Sequence, residues 1–278
     1  MTVVSIDGAI TPAERAVISV FDRGLLYGDG CFEVLRTWDG RAVDLDAHLA
    51  RLYDTAAALQ LRAMARDELA QAVNEAIAVA GEGDHRIRIV LTRGPGGLHL
   101  RLAELGKGKA IVFVEPLGPQ PSSVTLAVVS WELPRHGPGR KTLAYLDQVI
   151  ARELAREAGA DEAVRLDPAG QVVEGATCNV FAVVGGCVVT PPVEAGALPG
   201  IVRGHVLDLC ARAAIPTAVR PIPVEELRAA PEVFVTSSLR GVVAVTALDG
   251  AARSAGRTTA QIASAYRVEM HGRASRVA

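Results

Sequence analysis

No stretch of this chain reaches the ~20 uninterrupted apolar residues that a membrane-crossing helix requires. The opening MTVVSIDGAI has no basic segment leading into an apolar one, so no secretory leader is expected. Charge is balanced, with 29 lysines and arginines against 31 aspartates and glutamates and a net charge of −2. Nothing in such a balance asks for nucleic acid or a membrane surface as a partner. Cysteine is sparse: the four stand at 31, 178, 187 and 210. None forms a Cys-x-x-Cys pair, and no histidine lies at ligand spacing from them, so reduced thiols and no metal site are expected. His85, His99, His136 and His205 also lack metal-ligand spacing, and His48 reads as a packed helix residue. Internal repeats and low-complexity tracts are missing as well. These absences leave a cytoplasmic globular protein with no nucleic-acid, membrane or metal partner.

What is present is a long chain, 278 residues and half apolar, enough for two domains or one large one. Asp7-Gly8 and Asp39-Gly40 are turn pairs between short apolar runs and predict two hairpins. A helix is expected from Asp46 as its N-cap, and another from Arg66 to about Ala80. Arg86 to Arg93 alternates as a strand, with Arg86, Arg88 and Val90 on one face and Ile87, Ile89 and Leu91 on the other. Ala110–Val114 is a further strand. From Glu115 to Ser123 there are three prolines and a glycine in nine residues, a semi-rigid linker. The expected organisation is therefore an α/β (α+β) chain in two parts. A small N-terminal domain spans 1–115, a linker 116–123, and a larger β-rich domain 124–278. In the second part we expect a strand at Val124–Val129, a loop at Pro134–Gly139 and a helix from Lys141 to Glu157. Strands follow at Glu162–Leu166, Val172–Val173, Asn179–Val184, Cys187–Thr190, Val233–Thr236 and Val242–Val245. Helices are expected from Ile201 to Ala214 and from Thr258 to about Met270.

Two segments carry chemistry. Arg140-Lys141-Thr142-Leu143-Ala144-Tyr145-Leu146 sets a lysine at the mouth of an apolar run. Val173-Glu174-Gly175-Ala176-Thr177-Cys178-Asn179-Val180-Phe181 sets a carboxylate before a small-residue turn and a strand. Lysine forms a Schiff base with a carbonyl cofactor, and a carboxylate keeps a pyridine nitrogen protonated so that the ring draws electrons. Together they point to pyridoxal 5'-phosphate. The glycine-rich Arg93–Gly97 lacks a following lysine-serine pair and reads as a flexible loop rather than a nucleotide cradle.

From Asp22-Arg-Gly-Leu-Leu-Tyr-Gly-Asp-Gly30 to about Gly250, the chain resembles the fold-type IV pyridoxal phosphate enzymes. That group holds the branched-chain and D-amino acid aminotransferases, the aminodeoxychorismate lyases and the (R)-amine transaminases. The resemblance implies that Lys141 carries the cofactor and moves the substrate Cα proton to cofactor C4′. It makes Glu174 the partner of the ring nitrogen. It assigns the phosphate to Arg51, to the helix start at Gly200-Ile201-Val202 and to the Ser237-Ser238 turn. Relatives often place a threonine where Val202 stands, so here only the backbone of that residue serves. Ala144 replaces an asparagine common in relatives.

The resemblance also bears on substrate. Phe32-Glu33-Val34-Leu35-Arg36 lines the family's pocket, and Tyr27 matches a tyrosine near the substrate. Branched-chain enzymes usually carry glycine at the place of Val34, and lyases a threonine. D-amino acid enzymes carry valine, with a basic residue two places on, where Arg36 stands. The Arg-x-His pair that grips the carboxylate in the best-known D-amino acid enzymes falls on Leu98 and Leu100. A carboxylate in a dry pocket still requires a cation, and Arg88 is the candidate, with Arg86 and Arg36 nearby. The expected activity is ping-pong transamination between an amino acid, leaning to D-amino acids, and a 2-oxo acid. The alternatives are a lyase acting on aminodeoxychorismate, whose Thr92–Gly97-like loop this chain shares, and a branched-chain L-amino acid aminotransferase. A homodimer is expected by the same resemblance.

Overall fold

The computed structural model describes residues 2–101, 108–130 and 139–275. The chain forms two compact units, the first of Met1–Pro119, Arg140–Tyr145 and Met270–Ala278, the second of Gln120–Gly139 and Leu146–Glu269. The proline-rich stretch thus contains the first crossover between units, while the lysine segment belongs with the first unit. Most of the expected loop at 134–139, and His136 with it, lies outside the described residues.

In the first unit the elements in chain order are β1 (Val3–Ile6), β2 (Ala9–Thr11), α1 (Arg23–Tyr27), β3 (Gly30–Trp38), β4 (Arg41–Ala42), α2 (Leu45–Ala58), α3 (Arg66–Ala80), β5 (His85–Thr92) and β6 (Lys109–Pro116). The six strands pair antiparallel in the order β2-β1-β6-β5-β3-β4. Both Asp-Gly pairs turn with positive φ, 50° and 88° at Asp7-Gly8 and 50° and 75° at Asp39-Gly40, the backbone that two-residue hairpins need. The alternation in β5 divides the sheet. Ile87, Ile89 and Leu91 pack with Leu49 and Leu52 of α2 and with Leu69 and Val73 of α3. The opposite face carries Val4, Phe32, Val90 and Ile111, joined by Val34, Phe113, Leu143 and Tyr145.

The second unit holds β7 (Ser123–Val129), α4 (Leu146–Glu157), β8 (Glu162–Leu166), β9 (Val172–Gly175), β10 (Asn179–Val184), β11 (Cys187–Thr190), α5 (Ile201–Arg212), β12 (Thr217–Val219), α6 (Val224–Ala229), β13 (Glu232–Ser237), β14 (Gly241–Leu248), β15 (Ala251–Ala252) and the start of α7 (Arg257–Ser275). Its strands run β12-β11-β10-β13-β14-β7-β8-β9, with β15 on β14. The central strands β10 and β13 read as nearly continuous apolar runs, as strands covered on both faces do. Phe181 and Phe234 stack there with ring centroids 4.7 Å apart. No helix among the described residues is long and apolar enough to cross a membrane.

Two expectations are corrected. The helix expected from Lys141 begins at Leu146. The backbone before it is taken by the start of β3: Phe32 N donates to Lys141 O and Leu143 N to Gly30 O, each at 2.9 Å. Gly30 permits this approach, since a Cβ there would strike Leu143 Cδ1 and the Leu91 carbonyl. Helix α2 begins after Asp44 rather than Asp46, which lies in its first turn, where a carboxylate suits the helix dipole. Strand β12 and helix α6 are too short to show a period, and sequence reading passes over them.

Between β3 and α2 lies a buried ion cluster. Glu33 accepts from Arg51 Nε and Nη2 at 2.7 and 2.8 Å, and its Oε2 lies 2.7 Å from His48 Nδ1. Burial pushes the Glu33 carboxyl up, but the hydrogen bonds from His48 and Arg51 outweigh it and hold it at about 2. Burial lowers His48 despite the neighbouring Glu33. Both shifts are depressions, so both contributions are present at neutral pH. That of His48 fades as pH falls below its ordinary 6.5 and that of Glu33 as pH falls from 4.5 toward 2. Stability measured by urea unfolding should therefore fall from pH 7 to pH 3, with a shallower acid limb in Glu33→Gln. Glu33→Ala, which removes the buried carboxylate that Arg51 and His48 share, should cost about 3–5 kcal/mol. A loss below about 1 kcal/mol would contradict this role.

Candidate active site

The register of the first sheet determines what stands beside Lys141. Val34, Arg88 and Phe113 oppose one another across β3, β5 and β6, and so do Phe32, Val90 and Ile111. Opposed residues share a face, so Phe32, Val34, Arg88 and Phe113 point the same way. The pairing of Lys141–Leu143 with the start of β3 brings the lysine to that face. Its Nζ lies over the Phe32 ring, 4.4 Å from the centroid, and 5.5 Å from the centroid of Tyr145. Phe32 and Tyr145 meet edge to face at 5.0 Å. Arg88 Cζ lies over the same Phe32 ring at 4.1 Å. No hydrogen bond or ion pair reaches Arg88 from the described residues. Burial, then the charge of Arg86, lowers its pKa from the ordinary value.

Other substrate candidates are engaged elsewhere. Arg36 Nη2 donates to Asp84 at 2.7 Å and its Nε to the Thr37 carbonyl at 2.9 Å, while its guanidinium lies over Trp38. Arg86 pairs with Glu115 at 3.3 Å, yet its Nε is buried with no hydrogen-bond partner among the described residues. Tyr27 donates its hydroxyl to Leu98 O at 2.8 Å, under the guanidinium of Arg23. Leu98 and Leu100 are exposed. Arg51 is held by Glu33 as described. Phe113 was not singled out from sequence; its place opposite Arg88 follows only from the pairing of β5 with β6.

In the second unit three loops converge at one end of β9, β10 and β13. Glu174, buried at the end of β9, accepts from Leu198 N at 2.8 Å, and Arg165, its cross-strand partner, lies 4.0 Å away. Asn179, first residue of β10, donates to Leu198 O at 3.0 Å and pairs with Thr236 of β13. Ser237 and Ser238 follow directly. Two residues beyond Leu198, Gly200 opens α5, and a Cβ there would collide with Asn179 Oδ1. No side chain caps the helix, and Val202 is buried, so Ile201 and Val202 offer their N–H groups at an uncapped start. The structure thus gathers Glu174, Ile201, Val202, Ser237 and Ser238 at one end of this sheet. Leu198 and Asn179 do the gathering and were not assigned from sequence, although the Leu-Pro-Gly before α5 was a usable signal.

The family model for class IV aminotransferases matches residues 30–248. A putative branched-chain-amino-acid aminotransferase of Methanocaldococcus jannaschii is 36% identical over 88% of this chain and 87% of its own length. A D-alanine aminotransferase of Bacillus licheniformis is 30% identical over the same shares. Among solved structures, the branched-chain aminotransferase of Thermoproteus uzoniensis with norvaline superposes with a TM-score of 0.92 at 31% identity, covering 99% of this chain and 96% of that one. Fold, family match and relatives agree: the chain belongs to the class IV aminotransferases, a pyridoxal phosphate-dependent family.

Proposed function

We propose that this chain is an amino-acid aminotransferase that takes the amine of an amino acid in one half-reaction and hands it to a 2-oxo acid in the next. The observation that carries this reading is the Phe32 ring with Lys141 Nζ and the Arg88 guanidinium both over it. One is an amine able to hold a carbonyl cofactor and carry a proton. The other is a cation with no ion pair among the described residues, suited to a substrate carboxylate. A partly desolvated guanidinium gains most when an anion completes it.

The residues present fit pyridoxal phosphate. Glu174 is buried and already oriented by the Leu198 amide, as the partner of a protonated ring nitrogen must be. The uncapped start of α5 offers Ile201 and Val202 amides to a phosphate, with Ser237 and Ser238 as hydroxyl donors. Arg51, pinned by Glu33, is the cation that the family resemblance assigns to that phosphate. Bound, the cofactor would supply the electron sink. Lys141 Nζ would take the proton from substrate Cα and hold it for return. Glu174 would keep the ring nitrogen protonated, and Arg88 would orient the substrate by its carboxylate.

Arg36 is committed to Asp84, so the carboxylate is assigned to Arg88, while Tyr27, Phe32, Val34 and Phe113 shape the pocket. Val34 stands directly opposite Arg88, and its match to the valine that D-amino acid enzymes carry there supports a D-amino acid donor. The Methanocaldococcus relative, whose name is that of a branched-chain enzyme, supports L-leucine and its kin as the second reading. The test is a half-reaction panel on the full chain loaded with pyridoxal phosphate. D-alanine or D-glutamate, without acceptor, should move the absorbance to that of pyridoxamine phosphate, and L-leucine should not. Reaction with L-leucine alone supports the branched-chain reading. No reaction with any of these, together with pyruvate release from aminodeoxychorismate, would mean a lyase. In Arg88→Ala, KM for the donor should rise about 30-fold or more with the cofactor spectrum unchanged.

We infer further that the chain works as a homodimer. Val17, Val20, Phe21, Leu25, Leu98 and Leu100 are exposed apolar residues of the first unit. Their segments are tied together by Gly96 N to Phe21 O at 3.0 Å and Tyr27 Oη to Leu98 O at 2.8 Å, which makes one surface of them. A patch of this kind on an otherwise balanced surface is best covered by a second copy. Sedimentation velocity should show a dimer, and Phe21→Asp with Leu25→Asp should give a monomer. A monomeric wild-type chain would contradict the inference.

A further inference from the structure

Arg240 stands in the loop joining β13 to β14, but its side chain leaves that loop. Nη2 donates to Glu162 Oε2 at 3.0 Å and lies 3.1 Å from Thr177 Oγ1. The Thr177 hydroxyl donates to Glu162 Oε2 as well. Glu162, at the start of β8, is fully buried, and its Oε1 accepts from Ala163 N at 3.1 Å. Three segments therefore meet on one buried carboxylate: the start of β8, the turn from β9 into β10, and the β13–β14 loop.

Each of the last two segments carries a group assigned above to the cofactor. The turn that contains Thr177 begins with Glu174 and is closed by Gly175 N donating to Cys178 O at 2.8 Å. The loop that contains Arg240 begins with Ser237 and Ser238, and Arg240 N approaches Ser237 Oγ at 3.4 Å. One guanidinium thus braces the turn of the ring-binding carboxylate against the loop of the phosphate hydroxyls. An apolar pair could fill this space with equal stability. A rigid planar guanidinium whose Nη2 meets both acceptors adds a defined spacing between the segments. The Thr177 hydroxyl is used in both directions, as donor to Glu162 and acceptor from Arg240, so it acts within the brace.

We propose that Arg240 is a positioning residue of the cofactor site. Acting through Glu162 and Thr177, it sets the spacing between Glu174 and the Ser237-Ser238 hydroxyls, so that one phosphorylated pyridine is met at both ends. This rests on the cofactor reading above. The test titrates the full chain with pyridoxal phosphate, following the absorbance of the bound form, alongside thermal unfolding of the cofactor-free chain. The proteins compared are wild type, Arg240→Met, Glu162→Gln, their combination, and Arg240→Lys. Combining Arg240→Met with Glu162→Gln removes both buried charges, so its unfolding temperature should recover relative to the single variants, while its affinity stays at least tenfold below wild type. Arg240→Lys, which keeps the charge but puts it on a flexible stem without the rigid planar head, should unfold near wild type yet bind at least fivefold more weakly. Affinity that recovers together with unfolding temperature, or an Arg240→Lys chain that binds within twofold of wild type, would make the cluster merely structural and overturn the proposal. A wild-type chain that takes up no pyridoxal phosphate would overturn the cofactor reading itself, and this proposal with it.

Discussion

Two backbone hydrogen bonds, from Phe32 N to Lys141 O and from Leu143 N to Gly30 O, hold the lysine segment extended against the first strand of the pocket face. Everything proposed for the first unit depends on them. They deny Lys141–Tyr145 a helix and lay Lys141 on the same ring as Arg88. They also need Gly30, because no larger residue leaves room for Leu143. The root of the lysine side chain is thereby fixed by main chain.

The second unit positions its groups by side chains reaching across loops. The Leu198 amide orients Glu174, Asn179 anchors the Leu198 carbonyl, and Arg240 spans from one loop to another through Glu162. Each of these bonds is modest alone. Buried and sharing partners, they define one arrangement, as a site that must present fixed donors requires. The ion cluster of Glu33, His48 and Arg51 does the same for the arginine of α2.

Much of the fold was legible in the sequence because its signals are local. The Asp-Gly hairpins, the alternation of β5 and the apolar runs of β10 and β13 each follow from neighbouring residues. Lys141 and Glu174 stood out because their neighbours form recognisable segments. What stayed hidden was long-range. The run from Lys141 has good helix propensity, and nothing within it reveals that β3 competes for its backbone. The partner of Arg36, Asp84, stands 48 positions away, so no neighbouring residue announces their ion pair. Phe113, Leu198 and Arg240 gain meaning only from strand pairing or from side chains crossing between loops.

The central claim is that Lys141 holds the cofactor, and it admits a direct measurement. The chain has three lysines, at 107, 109 and 141, and Lys109 is paired with Asp7 at 2.5 Å. The protein incubated with pyridoxal phosphate, reduced with borohydride and digested should carry a phosphopyridoxyl group on the peptide containing Lys141 at about one per chain. A label confined to Lys107 or Lys109, or none above the level of a Lys141→Ala chain, would contradict the account.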